Sequence, residues 1–279
     1  MMVLSHYQAR IILDAQRSGL DRVILSLDLG MSTVQLEVKP QGVQLADGNF
    51  LKTEYIEQVF KSTSSCFVIE GGVPQAIQFY SALTDRVYSL YPTTGAPTML
   101  ISGIPMHRIK NTEPHQDSLE KIHSIKPVVG QVLDTATGLG YTAIEAARTA
   151  EHVTTIELDP AALKVCRLNP WSQGLFNNPK ITQLIGDSID VVAKMESGGF
   201  TRVIHDPPAF NLAGDLYSGD FYRELYRVMR NRSQLFHYIG DPESKSGRSI
   251  TAGVIRRLEQ AGFNQVRRAP RAFGVVAVK

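Results

Sequence analysis

Four acidic residues follow short apolar runs at intervals that could build one chemical site. In "VLDTATGLGYTA", Val132 and Leu133 lead into Asp134, and Gly138 and Gly140 come just after. Glycine takes positive φ and lets a ligand approach the backbone closely, so the stretch reads as buried strand, tight turn and helix start. "VTTIELDP" then ends in Glu157. An acidic residue about twenty positions after such a turn accepts hydrogen bonds from both ribose hydroxyls of a nucleoside. "LIGDSID" puts Asp187 at the end of a third run, where it also suits a helix N-cap. "IHDPPAF" ends a fourth run with Asp206-Pro207-Pro208. Proline has a fixed φ and no N–H, so the carbonyls of that turn are held in place beside a carboxylate.

Positioning these residues requires the strands to lie side by side with their carboxyl ends together. From "PVVGQVLDTATG" onward the pattern supplies this. "VTTIELD", "KITQLIGD", "RVIHDPP" and "QLFHYIG" are strands, separated by the helical segments "GYTAIEAARTA", "PAALKVCRLN", "SIDVVAKM" and "GDFYRELYRVMR". Strand–helix alternation implies parallel strands with right-handed crossovers. "FNQVRRAPRAFGVVAVK" breaks the rhythm and reads as two strands around Pro270, the last one antiparallel. The region before it has another texture. A helix spans "MMVLSHYQARIILDAQRSGL", a hairpin follows in "RVILSLDLG" and "TVQLEVKPQGVQLA", a helix in "NFLKTEYIEQVFKS", and then two strand–turn–strand units. The expected division is a small α+β domain over 1–105, for substrate selection or oligomerisation, and a cofactor-binding domain over 106–279. A helix entering the second domain is expected to start near Glu113-Pro114.

The doubly wound, Rossmann-like α/β sheet of seven strands closed by a C-terminal β-hairpin resembles the class I S-adenosylmethionine (SAM)-dependent methyltransferases. Residues 100–250 look more narrowly like the predicted methyltransferases described mainly from archaea, on "VLDTATGLGYTAI", "TIELDP", "NPWS" and "IHDPPAFNLAGDLYS". The resemblance implies SAM as cofactor, held by Asp134, Ala136, Thr137, Gly138, Gly140, Tyr141, Thr142, Glu157, Leu158, Asp187 and Ser188. Ala136 stands where the family has its first glycine. In that family Asp187 meets the adenine amino group. The resemblance also makes Asp206, Pro207, Pro208 and Phe210 the catalytic set. In methyltransferases acting on amino groups, a carboxylate and a proline-bounded carbonyl accept the two hydrogens of a planar NH2 and favour a pyramidal nitrogen, while an aromatic stacks on the substrate. Here Ala209 takes the aromatic's place and Phe210 comes one later.

Other chemistries are narrowed on the same residues. No Gly-Lys-Ser/Thr follows the turn, which excludes a P-loop. A dinucleotide fingerprint stays open, because Ala143 is allowed at its third position. "LSLDLGMSTVQLEV" has the look of an actin-like phosphate loop but lacks the second loop and larger frame, so it reads as a hairpin. His107, His205 and His237 are candidate bases, and no Cys/His spacing supports a metal. Cys66 and Cys166 sit within apolar runs and read as buried thiols. The net charge of +2 gives no global pull towards nucleic acid, although Arg256, Arg257, Arg267, Arg268 and Arg271 make a local basic patch. No run is long enough to span a bilayer, and a cytoplasmic protein is expected.

The reading is therefore a SAM-dependent methyltransferase acting on a nitrogen of RNA, protein or a small molecule, with a homodimer as an allowed assembly. A spermidine synthase-like aminopropyltransferase using decarboxylated SAM, and a non-catalytic SAM-fold binding protein, are the alternatives.

Overall fold

The computed structural model describes residues 1–208 and 213–279, with Lys245 and Ser246 described through their backbone alone. The chain forms two compact units. One comprises Met1–His115 and Ala161–Gln173, the other Gln116–Pro160 and Gly174–Lys279. The division falls later than 105/106, and the segment 161–173 groups with the first unit.

The second unit is built on one sheet of seven strands: β1 (Gln131–Asp134), β2 (His152–Glu157), β3 (Ile181–Ile185), β4 (Phe200–His205), β5 (Met229–Tyr238), β6 (Gln265–Ala269) and β7 (Gly274–Val278). Their order across the sheet is β3-β2-β1-β4-β5-β7-β6. Strands β1 to β5 are parallel, and β7 runs antiparallel to both β5 and β6. Parallel strands need crossovers, which helices supply. In chain order they are α1 (Pro114–His123), which precedes the sheet, then α2 (Tyr141–Ala147), α3 (Pro160–Leu168), all of which but Pro160 groups with the first unit, α4 (Ser188–Ala193), α5 (Gly219–Val228) and α6 (Lys245–Gln260). The chain winds outward through β1, β2 and β3 and then returns to β4 on the other side of β1. A crevice opens at such a reversal, at the carboxyl ends of the strands.

The core explains the winding. Val132 and Leu133 on β1, and Val203 and Ile204 on β4, are fully buried, as strands covered on both faces require. Phe221, Tyr222, Leu225 and Val228 fall on one face of α5 and pack into the same cluster as Leu133, Val203 and Leu235. Each large apolar side chain so buried contributes about 1.5–3 kcal/mol.

Two elements differ from the sequence expectation. Met229 and Arg230 close a helical segment in the sequence pattern but begin β5 in the fold, where Met229 pairs with Phe200. Helix α6 was not expected at all. Gly247 and Gly253 lower its intrinsic propensity, yet Ile250, Val254 and Leu258, four apart, lay an apolar stripe on the core.

The first unit carries antiparallel sheets. Arg22–Leu25, Val34–Lys39, Gly42–Gln44 and Phe50–Lys52 form one, in that order. Leu25 pairs with Val34, so "LSLDLGMST" closes an ordinary hairpin. The chain does not open on a helix: Met2–Leu4 is a strand paired with Phe67–Glu70, and Ser5 then caps the helix His6–Arg17. Cys66 and Cys166 are buried free thiols. Among the described residues no helix is long and apolar enough to cross a membrane.

Candidate active site

The carboxyl ends of β1, β2 and β4 bring the acidic residues together. Asp134, the last residue of β1, is completely buried. Its Oδ2 accepts hydrogen bonds from the Thr142 hydroxyl on α2 and the Thr155 hydroxyl on β2, both at 3.1 Å. Its Oδ1 is buried without a hydrogen-bond partner among the described residues. Burial pushes the Asp134 carboxyl up to about 7, the charge of Asp206 adds to the push, and the threonine hydroxyls oppose it.

The turn after β1 is fixed from both sides. The Thr137 amide donates to the Ile156 carbonyl at 2.8 Å, and its hydroxyl lies 2.7 Å from that of Thr155. The Ser188 hydroxyl donates to the Thr135 carbonyl at 2.6 Å. Gly138 has φ +52°, and open space surrounds the position a side chain would take. Gly140 has φ +76°, and an added Cβ would meet the Leu175 side chain at 2.2 Å. The first glycine leaves room for a ligand, whereas the second is demanded by packing.

Glu157 ends β2 and faces this turn. Its Oε2 accepts the Gly138 amide at 3.0 Å and its Oε1 the Asp159 amide at 3.1 Å. Burial raises its carboxyl above the usual range, opposed by those two amides. The side chain keeps some contact with solvent, and its remaining lone pairs can accept hydroxyls. Asp187 is exposed and caps α4 through the Ile189 amide at 2.8 Å. Tyr141 and Thr142 are buried in the first turn of α2, Ala136 is half-buried, and Leu158 is exposed.

Asp206 leaves β4 beside an ammonium that the sequence reading missed. Lys121 on α1 donates from Nζ to Asp206 Oδ2 at 2.6 Å and lies 3.0 Å from Asp117 Oδ2. It also stands 4.7 Å over the ring of Tyr238. Asp117 and Lys121 are four residues apart on one helix face, the only local signal they carried. Such pairs are normally solvated, but here both are fully buried. Burial alone would lower the lysine, yet Asp206 and Asp117 overcome it and hold the ammonium above its ordinary value. Pro207 is buried, and the Pro208 carbonyl accepts the Tyr217 hydroxyl at 3.2 Å. Phe210 lies outside the described residues.

The histidines are placed otherwise than as bases at a pocket mouth. His205 Nε2 lies 2.9 Å from the Leu216 carbonyl, which can only accept, so that nitrogen carries the hydrogen. Nδ1 then accepts the Thr135 hydroxyl at 2.7 Å. His237 Nε2 lies 2.7 Å from the Tyr222 hydroxyl. Burial drives His205 down to about 4 and holds His237 well below the ordinary value, so both are neutral ties inside the fold. His107 belongs to the first unit and bonds Thr98 there at 3.0 Å. Arg257 and Arg267 of the basic patch donate to the Tyr217 and Ser124 carbonyls. Among the described residues no cluster of three metal-ligating side chains occurs.

Comparison with known proteins agrees with this geometry at the level of the fold. The family described as conserved hypothetical protein 95 matches residues 105–219. An uncharacterized protein of Methanocaldococcus jannaschii, MJ1233, is 36% identical across 100% of this chain and 97% of its own. A polyamine aminopropyltransferase of Aeropyrum pernix is 32% identical over 87 residues, 29% of this chain and 28% of that one. The crystal structure of a spermidine synthase with the transition-state analogue AdoDATO superposes with a TM-score of 0.59 at 17% identity, over 74% of this chain and 76% of the other.

Proposed function

This chain belongs to the family of the uncharacterized protein MJ1233, and we propose from its site that it transfers an alkyl group from an S-adenosyl sulfonium to an amine nitrogen. The first reading is methyl transfer from SAM. The observation that carries it is the position of Asp206, a carboxylate at the switch point, followed by two prolines whose turn Tyr217 holds through the Pro208 carbonyl. A carboxylate there can accept a hydrogen of the attacking nitrogen and fix the direction of its lone pair.

The residues fit the nucleoside. Space at Gly138, the Glu157 carboxylate across from it and the unpartnered Oδ1 of Asp134 suit a close backbone approach, a ribose and a positively charged sulfur. Ser188 and Thr137 keep the turn open by tying it to its neighbours. A bound S-adenosyl sulfonium would supply the electrophilic carbon, with the C–S electron pair going to the departing thioether as the N–C bond forms. The role of Asp206 is to accept the proton that the attacking nitrogen gives up, directly or through water. Among the described residues at the site, the acidic side chains outnumber the Lys121 ammonium, so the site favours a cationic donor and an amine.

A second reading, transfer of an aminopropyl group from decarboxylated SAM, is favoured by the Aeropyrum pernix relative. Both readings share Asp206 as the acceptor-side group. Calorimetry with SAM, S-adenosylhomocysteine and decarboxylated SAM separates them. Binding of the first two, weakened on the order of tenfold or more in Glu157→Ala, supports methyl transfer. Preference for the decarboxylated form moves the reading to aminopropyl transfer, and no binding by any of the three overturns both.

A further inference from the structure

Lysine is almost never buried completely unless it is paired, because a lone buried ion loses its hydration without compensation. Lys121 and Asp117 are 1% and 0% exposed. An apolar pair would fill the same face of α1 without that cost, so the ammonium calls for a reason beyond packing. Its surroundings supply one. Asp206 lies close enough to Asp134 on β1 to push that buried carboxyl up, and it shares the Lys121 ammonium with Asp117 on α1. Two carboxylates that repel each other in a buried site cannot both stay ionised without a cation.

We propose that Lys121 is a positioning residue for the transfer step, fixing the Asp206 carboxylate in its ionised form and in one orientation towards the acceptor nitrogen. This rests on the alkyl-transfer reading. Asp117, one turn back on α1, holds the ammonium from behind at 3.0 Å while Asp206 takes it at 2.6 Å. Tyr238 on β5 covers it with its ring. Tyr217 reaches the same turn from the other end through the Pro208 carbonyl. The Asp-Pro-Pro turn is thereby held at its first and last residues by two side chains that need not touch substrate. Among the described residues the titratable and charged groups around Asp206 include Lys121 and Asp117 from α1, Asp134 from β1, Tyr238 on β5 and Tyr217 ahead of α5. Its chain neighbour His205 is neutral. Among the described residues Lys121 is the cation in contact with the Asp206 carboxylate, so removing it makes Asp206 take up its proton at a higher pH.

The test uses Lys121→Met and the double variant Asp117→Asn/Lys121→Met, the second of which also removes the Asp117 charge from α1. Aspartate is labelled with carbon-13 at the carboxyl, and Asp206→Asn assigns the Asp206 signal. The titration midpoint of Asp206 is expected to rise by about 1–3 units in Lys121→Met, and by less in the double variant. The acid limb of the pH–rate profile should move with it, with kcat falling more than KM rises. The same midpoint in wild type and both variants would overturn the proposal. The carboxyl titration needs no cofactor or turnover. A shifted midpoint in a protein that binds no S-adenosyl ligand would therefore refute the transfer reading and leave the electrostatic role of Lys121 standing.

Discussion

Asp134→Asn should change how stability depends on pH, by an amount that follows from the burial of one carboxyl. The Asp134 side chain is completely buried, and its carboxyl is raised from 3.8 to about 7 by burial first and by Asp206 second. A raised acid holds its proton more tightly in the folded chain than in the unfolded one. Its contribution is therefore neutral below the unfolded value and becomes a penalty as pH climbs from about 4 towards 7. At roughly 1.4 kcal/mol per unit, the penalty approaches about 4 kcal/mol above pH 7, of which about 2–3 kcal/mol develops between pH 5 and pH 8. Asparagine keeps the shape and one acceptor for the Thr142 and Thr155 hydroxyls but cannot ionise. Urea denaturation of the ligand-free chain at a series of pH values measures the effect, and subtracting the two curves cancels the other titrating groups. The wild type should lose about 2–3 kcal/mol relative to the variant between pH 5 and pH 8. A difference that stays flat across that window would refute the assignment of Asp134 as a carboxyl pushed towards neutrality.

Glu157→Gln, which keeps an acceptor for the Gly138 and Asp159 amides, should weaken SAM binding on the order of tenfold while changing the urea midpoint less than Glu157→Ala does; calorimetry and denaturation on one preparation check both. Gly140→Ala should destabilise by more than 1 kcal/mol, since φ is +76° and the new Cβ would run into Leu175; thermal unfolding reads it. His205 is lowered to about 4, so the folded chain loses stability as pH falls from about 6.5 towards 4, where the unfolded chain binds the proton more readily. His205→Asn should flatten that acid limb in the same denaturation series, and an unchanged limb would count against the neutral tie to Leu216.

The parts of the site that could be read from the sequence are those whose chemistry is local. The Asp134 turn announces itself because a strand end, two glycines and a helix start are consecutive, and Glu157 follows within one strand–helix unit. Asp206 is visible for the same reason, with two prolines beside it. Lys121 was not legible, because its partner lies 85 residues away. Asp117 and Lys121 on a polar helix look like a solvated pair until the sheet brings β4 against them. His205 and His237 were read as strand-end candidates for proton transfer, whereas the fold buries both rings, 4.4 Å apart. Helix α6 escaped because its glycines and charges obscure three apolar residues whose value appears only against the core. Strand Met2–Leu4 escaped because its partner is the distant Phe67–Glu70.

The most direct test of alkyl transfer is mass spectrometry of a panel of amines incubated with the protein and either SAM or decarboxylated SAM. The account predicts that an amine gains the mass of one methyl group from SAM, or of one aminopropyl group from the decarboxylated form, and that the gain disappears in Asp206→Asn with donor binding intact. Donor binding without any alkylated amine, or product formed at an undiminished rate by Asp206→Asn, would contradict it.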